Sequence, residues 1–185
     1  MAIHREQAWE LLTEYTTKEG LIKHALAVEA AMRDYAEKLG EDVESWGILG
    51  LIHDFDYEAF PSLEDHPFKG ASILKERGYP AEWITAILGH GNHTGVARET
   101  PMAKALFAVD ELTGFIVAVT LVRPSKKIAD VKTSSVKKKM KDKAFAAAVN
   151  RDDIRQGAQE LGVPIDEHIN TVLRAMQKIA GDIGL

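Results

Sequence analysis

Cysteine is absent from all 185 residues. That one absence excludes disulfides, thiolate-held zinc, iron–sulfur clusters and thiol nucleophiles together. Long apolar runs are also missing: FIVAVTLV, at residues 115–122, is far too short to cross a bilayer. The opening stretch MAIHREQAWELL carries charges where a secretory leader needs an apolar segment. A soluble, cytoplasmic protein with no membrane partner is expected. No Gly-, Pro- or Ser-rich linker, internal repeat or low-complexity segment breaks the chain, so a single domain over residues 1–185 is expected. What is present is ordinary for a globular protein: 45% hydrophobic and 28% charged residues, in a length sufficient for a real core.

The net charge of −5 is unevenly spread. Residues 123–143 hold nine basic and two acidic side chains, so this stretch is at +7 and the rest of the chain at −12. Such asymmetry can mark a surface for anions, although a lysine run such as KKK is more often a solvated helix face. Only Phe145 offers an aromatic ring near these lysines, too few for base stacking, so nucleic acid is not an expected partner.

The hydrophobic pattern is helical nearly throughout. Leu21, His24, Ala25, Val28, Met32, Tyr35 and Leu39 recur at helical spacing before Gly40, which places His24 on an inward stripe. Thr16 and Glu19 have the spacing of a capping box for that helix. A second helix is predicted from about Val43 to Asp54, a third opens at His66-Pro67, and a fourth begins near Pro80 and ends around His90. Thr100-Pro101 starts a long buried helix that Pro124 stops. Ser134 or Ser135, then Asn150, cap two later helices, and a last amphipathic one ends near Gly181. No strand of useful length is expected: the fold class is all-α.

Within this pattern, His53-Asp54 ends the apolar run WGILGLIHD. Imidazole and carboxylate suit a first-row divalent cation, and adjacent residues about 100° apart on a helix can reach one concave site. His24, His53, Asp54 and Asp110 are a candidate set for one metal, and Asp54, His66 and His90 for a second, since one carboxylate can bridge two cations. A lone histidine on an apolar face is more often packing than ligand, and His4 and His168 are read so. Asp110, however, lies within the apolar AKALFAVDELTGFIVA. Burying it costs several kcal/mol unless it is paired or metal-bound.

The order His24, His53-Asp54, Asp110 on successive helices resembles the HD-domain superfamily of metal-dependent phosphohydrolases. The segment HPFKGASIL from His66 is similar to the HPxxGAxIL element of its HDIG and HD-GYP branches, and ILGHGNH to their next histidine element, which makes His90 a further ligand. The resemblance covers roughly residues 20–120, an HD-domain helical bundle, and leaves 121–185 as a C-terminal helical extension. HD-GYP proteins carry HDxGK where this chain has HDFDY, and a paired HHE where it has His90-Gly91-Asn92-His93. That argues against cyclic dinucleotide hydrolysis.

The resemblance implies one or two divalent cations per chain, with manganese, iron, cobalt, nickel, zinc or magnesium left open. It implies a catalytic, bridging Asp54 and hydrolysis of a phosphate ester or anhydride of a small molecule, a nucleotide foremost. Asp56 or Glu58 could orient a ligand histidine or act as general acid, unless it is simply a hydrogen-bonded loop carboxylate. His93, Arg123, Lys126 and Lys127 are candidate substrate contacts, the last three only if the chain folds back after the long helix. Glu111 is expected in a structural salt bridge. Two alternatives remain: a mixed-valent di-iron oxygenase, which uses the same ligand types, and a non-enzymatic nucleotide- or RNA-binding HD protein.

Overall fold

The apolar periodicity of the chain closes into helices packed around one core. The computed structural model describes residues 3–185. In chain order the helices are α1 (Arg5–Tyr15), α2 (Glu19–Leu39), α3 (Val43–Ile52), α4 (Phe68–Glu76), α5 (Ala81–Gly89), α6 (Pro101–Leu121), α7 (Thr133–Met140), α8 (Arg151–Leu161), α9 (Ile165–Lys178) and α10 (Ala180–Ile183). No strand occurs among the described residues, and none of the helices is long and apolar enough to cross a membrane.

The two 21-residue helices, α2 and α6, form the frame. α2 buries the stripe Ala25, Val28, Met32 and Tyr35 and packs most extensively against α3. α3 is apolar all round and buried from Trp46 to Ile52, as expected of a helix enclosed by its neighbours. α6 is likewise buried on most faces and touches α2, α5, α8 and α9. Thr100 caps it by accepting from the Ala103 N–H (3.2 Å), and Pro101 stands at its first turn, where a missing N–H costs nothing. One core cluster draws side chains from Ala8 in α1 to Ile183 in α10, so residues beyond 121 pack on the same core as those before.

Two local expectations are corrected. Thr16 does not cap α2: its hydroxyl is buried and donates to the Phe55 carbonyl (2.9 Å). The orphan amides at the start of α2 turn instead to Glu58, whose carboxylate accepts from the Thr17 and Lys18 N–H groups (2.9 Å each) and from the Thr17 hydroxyl. The loop after His53-Asp54 thereby ties itself to the helix that carries His24. Neither Ser134 nor Ser135 caps α7, which follows Lys132 at the N-cap with no side-chain bond. Asn150 does cap α8, accepting from the Asp152 and Asp153 N–H groups.

The C-terminal helices fix α6 from behind. A Cβ on Gly157 would lie 2.5 Å from Ala108 Cα, so only glycine lets α8 approach α6 this closely. His168 of α9 is fully buried: its Nε2–H donates to the Ala108 carbonyl (2.8 Å), and its Nδ1 accepts from the Tyr35 hydroxyl (2.5 Å). Burial holds His168 neutral and pushes its pKa down to about 4. The unfolded chain, with an ordinary imidazole near 6.5, binds more protons than the folded one in this range. The stabilisation is therefore complete above about pH 6.5 and is lost as pH falls toward 4. It amounts to about 3 kcal/mol at 1.36 kcal/mol per pKa unit. Urea unfolding at pH 7, 5.5 and 4 should show the native chain losing that much more stability than His168→Gln, whose amide can make both bonds without titrating. Parallel profiles would contradict this role.

Candidate metal centre

Each of the six candidate ligands sits where its helix delivers it inward. His24 lies on the buried stripe of α2, and Asp110 midway along α6. His53 caps the C-terminus of α3, and Asp54 begins the following turn. His66 precedes α4, and His90 caps the C-terminus of α5. The donor atoms form two groups, His24–His53–Asp54–Asp110 and Asp54–His66–His90, within each of which all lie within 4.8 Å of one another. Ligands on opposite sides of a cation at about 2.1 Å are about 4.2 Å apart, so small adjustments suffice.

The hydrogen bonds of the four imidazoles decide what they present to the centre. His53 Nδ1 donates to the Gly50 carbonyl (2.8 Å), His90 Nδ1 to the Ile87 carbonyl (2.5 Å), and His66 Nδ1 to Asp56 Oδ1 (2.9 Å). The Thr113 hydroxyl donates to the Asp110 carbonyl (2.7 Å) and stands 3.4 Å from His24 Nδ1. With three Nδ1 atoms committed as donors, the neutral rings of His53, His66 and His90 turn an Nε2 lone pair inward, and His24 Nε2 stands within hydrogen-bond distance of Asp110 Oδ1 (3.0 Å). His66 Nε2 and His90 Nε2 stand only 3.3 Å apart. Asp54 divides its oxygens: Oδ2 faces His53 (3.4 Å) and His24 (3.9 Å), while Oδ1 faces His66 (3.3 Å) and His90 (3.2 Å). Asp110 Oδ1 faces His24 (3.0 Å) and His53 (3.5 Å).

Four imidazole nitrogens and two carboxylates converging at these distances require positive charge between them, carried by protons or by a cation. Two buried atoms show the need directly: His53 Nε2 and Asp54 Oδ1 have no hydrogen-bond partner among the described residues. The proton affinities agree. Burial opposes a charge on His53 and His66, yet the facing carboxylates lift His53 well above its ordinary pKa and His66 to about 9. Burial also opposes ionisation of Asp54 and Asp110, and the facing imidazoles still hold both below the usual carboxylate range. The donor set fits a divalent cation in each group.

Asp56 is fully buried and accepts both from His66 and from the Gly70 N–H (2.8 Å), so it fixes the orientation of a candidate ligand. Gly70 is required for this approach, since a Cβ there would lie 2.7 Å from the Asp56 carboxyl carbon. Arg98 secures the segment after His90. It makes a two-point ion pair with Glu160 of α8 (2.8 Å each) and donates to the Gly89 carbonyl (2.8 Å) and to Asn92 Oδ1 (3.0 Å). Its guanidinium also lies over the Phe107 ring at 3.6 Å.

Other candidates fall elsewhere. His93 borders the cavity over the cluster, but its Nε2 donates to the His66 carbonyl (3.1 Å). Arg123, Lys126 and Lys127 are not among the cavity's lining residues. α6 runs on past Asp110 to Leu121, and Arg123 enters a separate depression with Ser135, Lys138 and Lys139. The chain does not fold back, because Ile128 inserts into the core. Glu111 makes no salt bridge with lysine or arginine among the described residues. It lines the cavity and accepts from the Asn150 N–H (3.2 Å), while burial and the adjacent Asp110 lift it to about 7. Asn150, read from the sequence only as a helix cap, and Asp153 also stand on the cavity wall, because the packing of α8 on α6 brings them there.

This fold and donor set have a counterpart among known families. The HD-domain model matches residues 21–114, just over half of the chain. The chain belongs to the HD-domain family. No curated protein and no solved structure matches it. The HD-domain family comprises, in general, metal-dependent phosphohydrolases. The matched segment begins just before His24 and ends just after Asp110, so it takes in all six residues of the cluster, whereas α7 to α10 lie outside it.

Proposed function

We propose that this HD protein hydrolyses a phosphate ester of a small molecule, a nucleotide among the candidate substrates, with two divalent cations bridged by Asp54. His24, His53 and Asp110 would hold one with Asp54 Oδ2, and His66 and His90 the other with Asp54 Oδ1. The observation that carries this reading is the convergence of four imidazoles, three of them with Nδ1 held as a donor, around a carboxylate that faces both groups. Bound cations would supply Lewis-acid activation of water near neutral pH and neutralise charge on the phosphoryl oxygens.

The chain's own residues do the positioning. The Gly50, Ile87 and Asp56 acceptors hold three rings in the tautomer that can ligate, with no reorganisation needed when a cation arrives. His53 is shut off from the cavity, which the other five candidate ligands line.

Protein purified without chelators should contain close to two transition-metal equivalents per chain by elemental analysis. With added manganese or cobalt it should release phosphate from a panel of phosphomonoesters. Two bound irons with oxygen consumption and no phosphate release would replace this reading by the oxygenase one. A metal-free protein that resists loading would remove both.

A further inference from the structure

The donor cluster opens into a cavity of about 550 Å³, large enough for a sugar phosphate or a nucleoside monophosphate. Its composition is unexpected for a site that takes phosphate: neither lysine nor arginine lines it. Beyond the candidate ligands the wall presents Glu111, Asp153, the amides of Asn92 and Asn150, and the rings of Tyr57 and His93. The nearby guanidiniums are committed elsewhere, Arg98 to Glu160 and Arg151 to the carbonyls of Asp142, Ala146 and Val149.

The charges in this cavity set what it can accept. Two divalent cations exceed Asp54 and Asp110 by two positive charges, which matches the dianion of one phosphate monoester. Beyond the donor cluster the wall adds two acidic groups, Glu111 and Asp153, and no cation, so nothing there attracts a second phosphoryl or carboxyl group. Each of these carboxylates is held by one oxygen. Glu111 Oε2 accepts from the Asn150 N–H (3.2 Å), and Asp153 Oδ1 from Asn92 Nδ2 (2.9 Å). The other oxygen of each has no hydrogen-bond donor among the described residues. A carboxyl oxygen without a donor is matched by a ligand group that donates.

We infer that the cavity selects a phosphate monoester whose remaining part carries hydrogen-bond donors, hydroxyl or ammonium, and no second anionic group, with Glu111 and Asp153 setting that preference. This rests on the phosphohydrolase reading and narrows it: nucleoside monophosphates and sugar phosphates qualify, while nucleoside di- and triphosphates do not. Neither residue that sets the preference is a candidate ligand, and Asp153 lies outside the segment matched by the HD-domain family.

Four phosphonates of one length, which contain no hydrolysable ester, test the preference by calorimetric binding to the manganese-loaded protein. They are 3-hydroxypropylphosphonate, 3-aminopropylphosphonate, propylphosphonate and 3-phosphonopropionate. At least one donor-bearing probe should bind tenfold or more tighter than the carboxylate probe, and whichever binds tighter separates hydroxyl from ammonium. The isosteric double variant Asp153→Asn, Glu111→Gln should bring all four within about threefold. Binding of 3-phosphonopropionate as tight as that of both donor probes would overturn the inference. So would a preference that the double variant leaves unchanged. Turnover of ribose 5-phosphate, AMP and ADP is measured beside it. Discrimination among phosphonates without hydrolysis of any ester would leave the selectivity standing and remove the phosphohydrolase reading. Equal hydrolysis of AMP and ADP would do the reverse.

Discussion

Replacing Asp54 by alanine is expected to lower kcat/KM by about 10³-fold or more, a loss of about 4 kcal/mol of transition-state stabilisation. The size follows from geometry. Asp54 is the one residue common to both donor groups, and its two oxygens face different pairs of histidines. Its removal detaches both candidate cations from a shared anion, so water activation and charge neutralisation fail together. Folding should suffer far less. Asp110 still faces His24 and His53, and the remaining imidazoles can shed their protons rather than stay charged without a partner. Elemental analysis and steady-state kinetics on Asp54→Ala check both halves. A variant that keeps its metal and full turnover would defeat the bridging role.

Asp56→Ala should weaken one metal position and spare the other. The carboxylate is buried and accepts from His66 Nδ1 and from the Gly70 N–H. Without it His66 is free to carry its proton on either nitrogen, and the ligating tautomer is no longer imposed. Loss of such a supporting partner costs about 10- to 100-fold in metal affinity. The two donors left without an acceptor cost a further 1–3 kcal/mol or so of stability. Metal titration should therefore separate into a tight step at His24, His53 and Asp110 and a weakened one at His66 and His90. Two unchanged steps would reduce Asp56 to a packing residue. Gly70→Ala offers an independent route to the same outcome, because its Cβ would press on the Asp56 carboxylate.

The helical architecture could be read in the chain wherever burial is periodic. Leu21 through Leu39 gave α2 and placed His24 inward, and a carboxylate amid apolar residues singled out Asp110. Local signals failed where a distant group took over. Thr16 and Glu19 have the spacing of a capping box, but the acceptor that serves the start of α2 is Glu58, about forty positions away. α1 went unmarked because it buries only Ala8, Leu11 and Leu12 among many charges. Arg123, Lys126 and Lys127 follow Asp110 in sequence, yet a rigid helix carries them away from it. Glu111, Asn150 and Asp153 meet only because α8 packs on α6, and no spacing in one sequence encodes that contact.

The close fit of Gly157 against Ala108 has a consequence for how this protein can diversify. The six candidate ligands are encoded before residue 111, whereas Asn150 and Asp153 reach the same cavity from a helix that only its seating on α6 holds there. Inheritance can thus alter the two independently. Changes along residues 150–153 can retune which molecule enters, while the reactive centre stays as it was. Gly157 itself has no such freedom, because any side chain there would lift Asn150 and Asp153 away from the donor cluster.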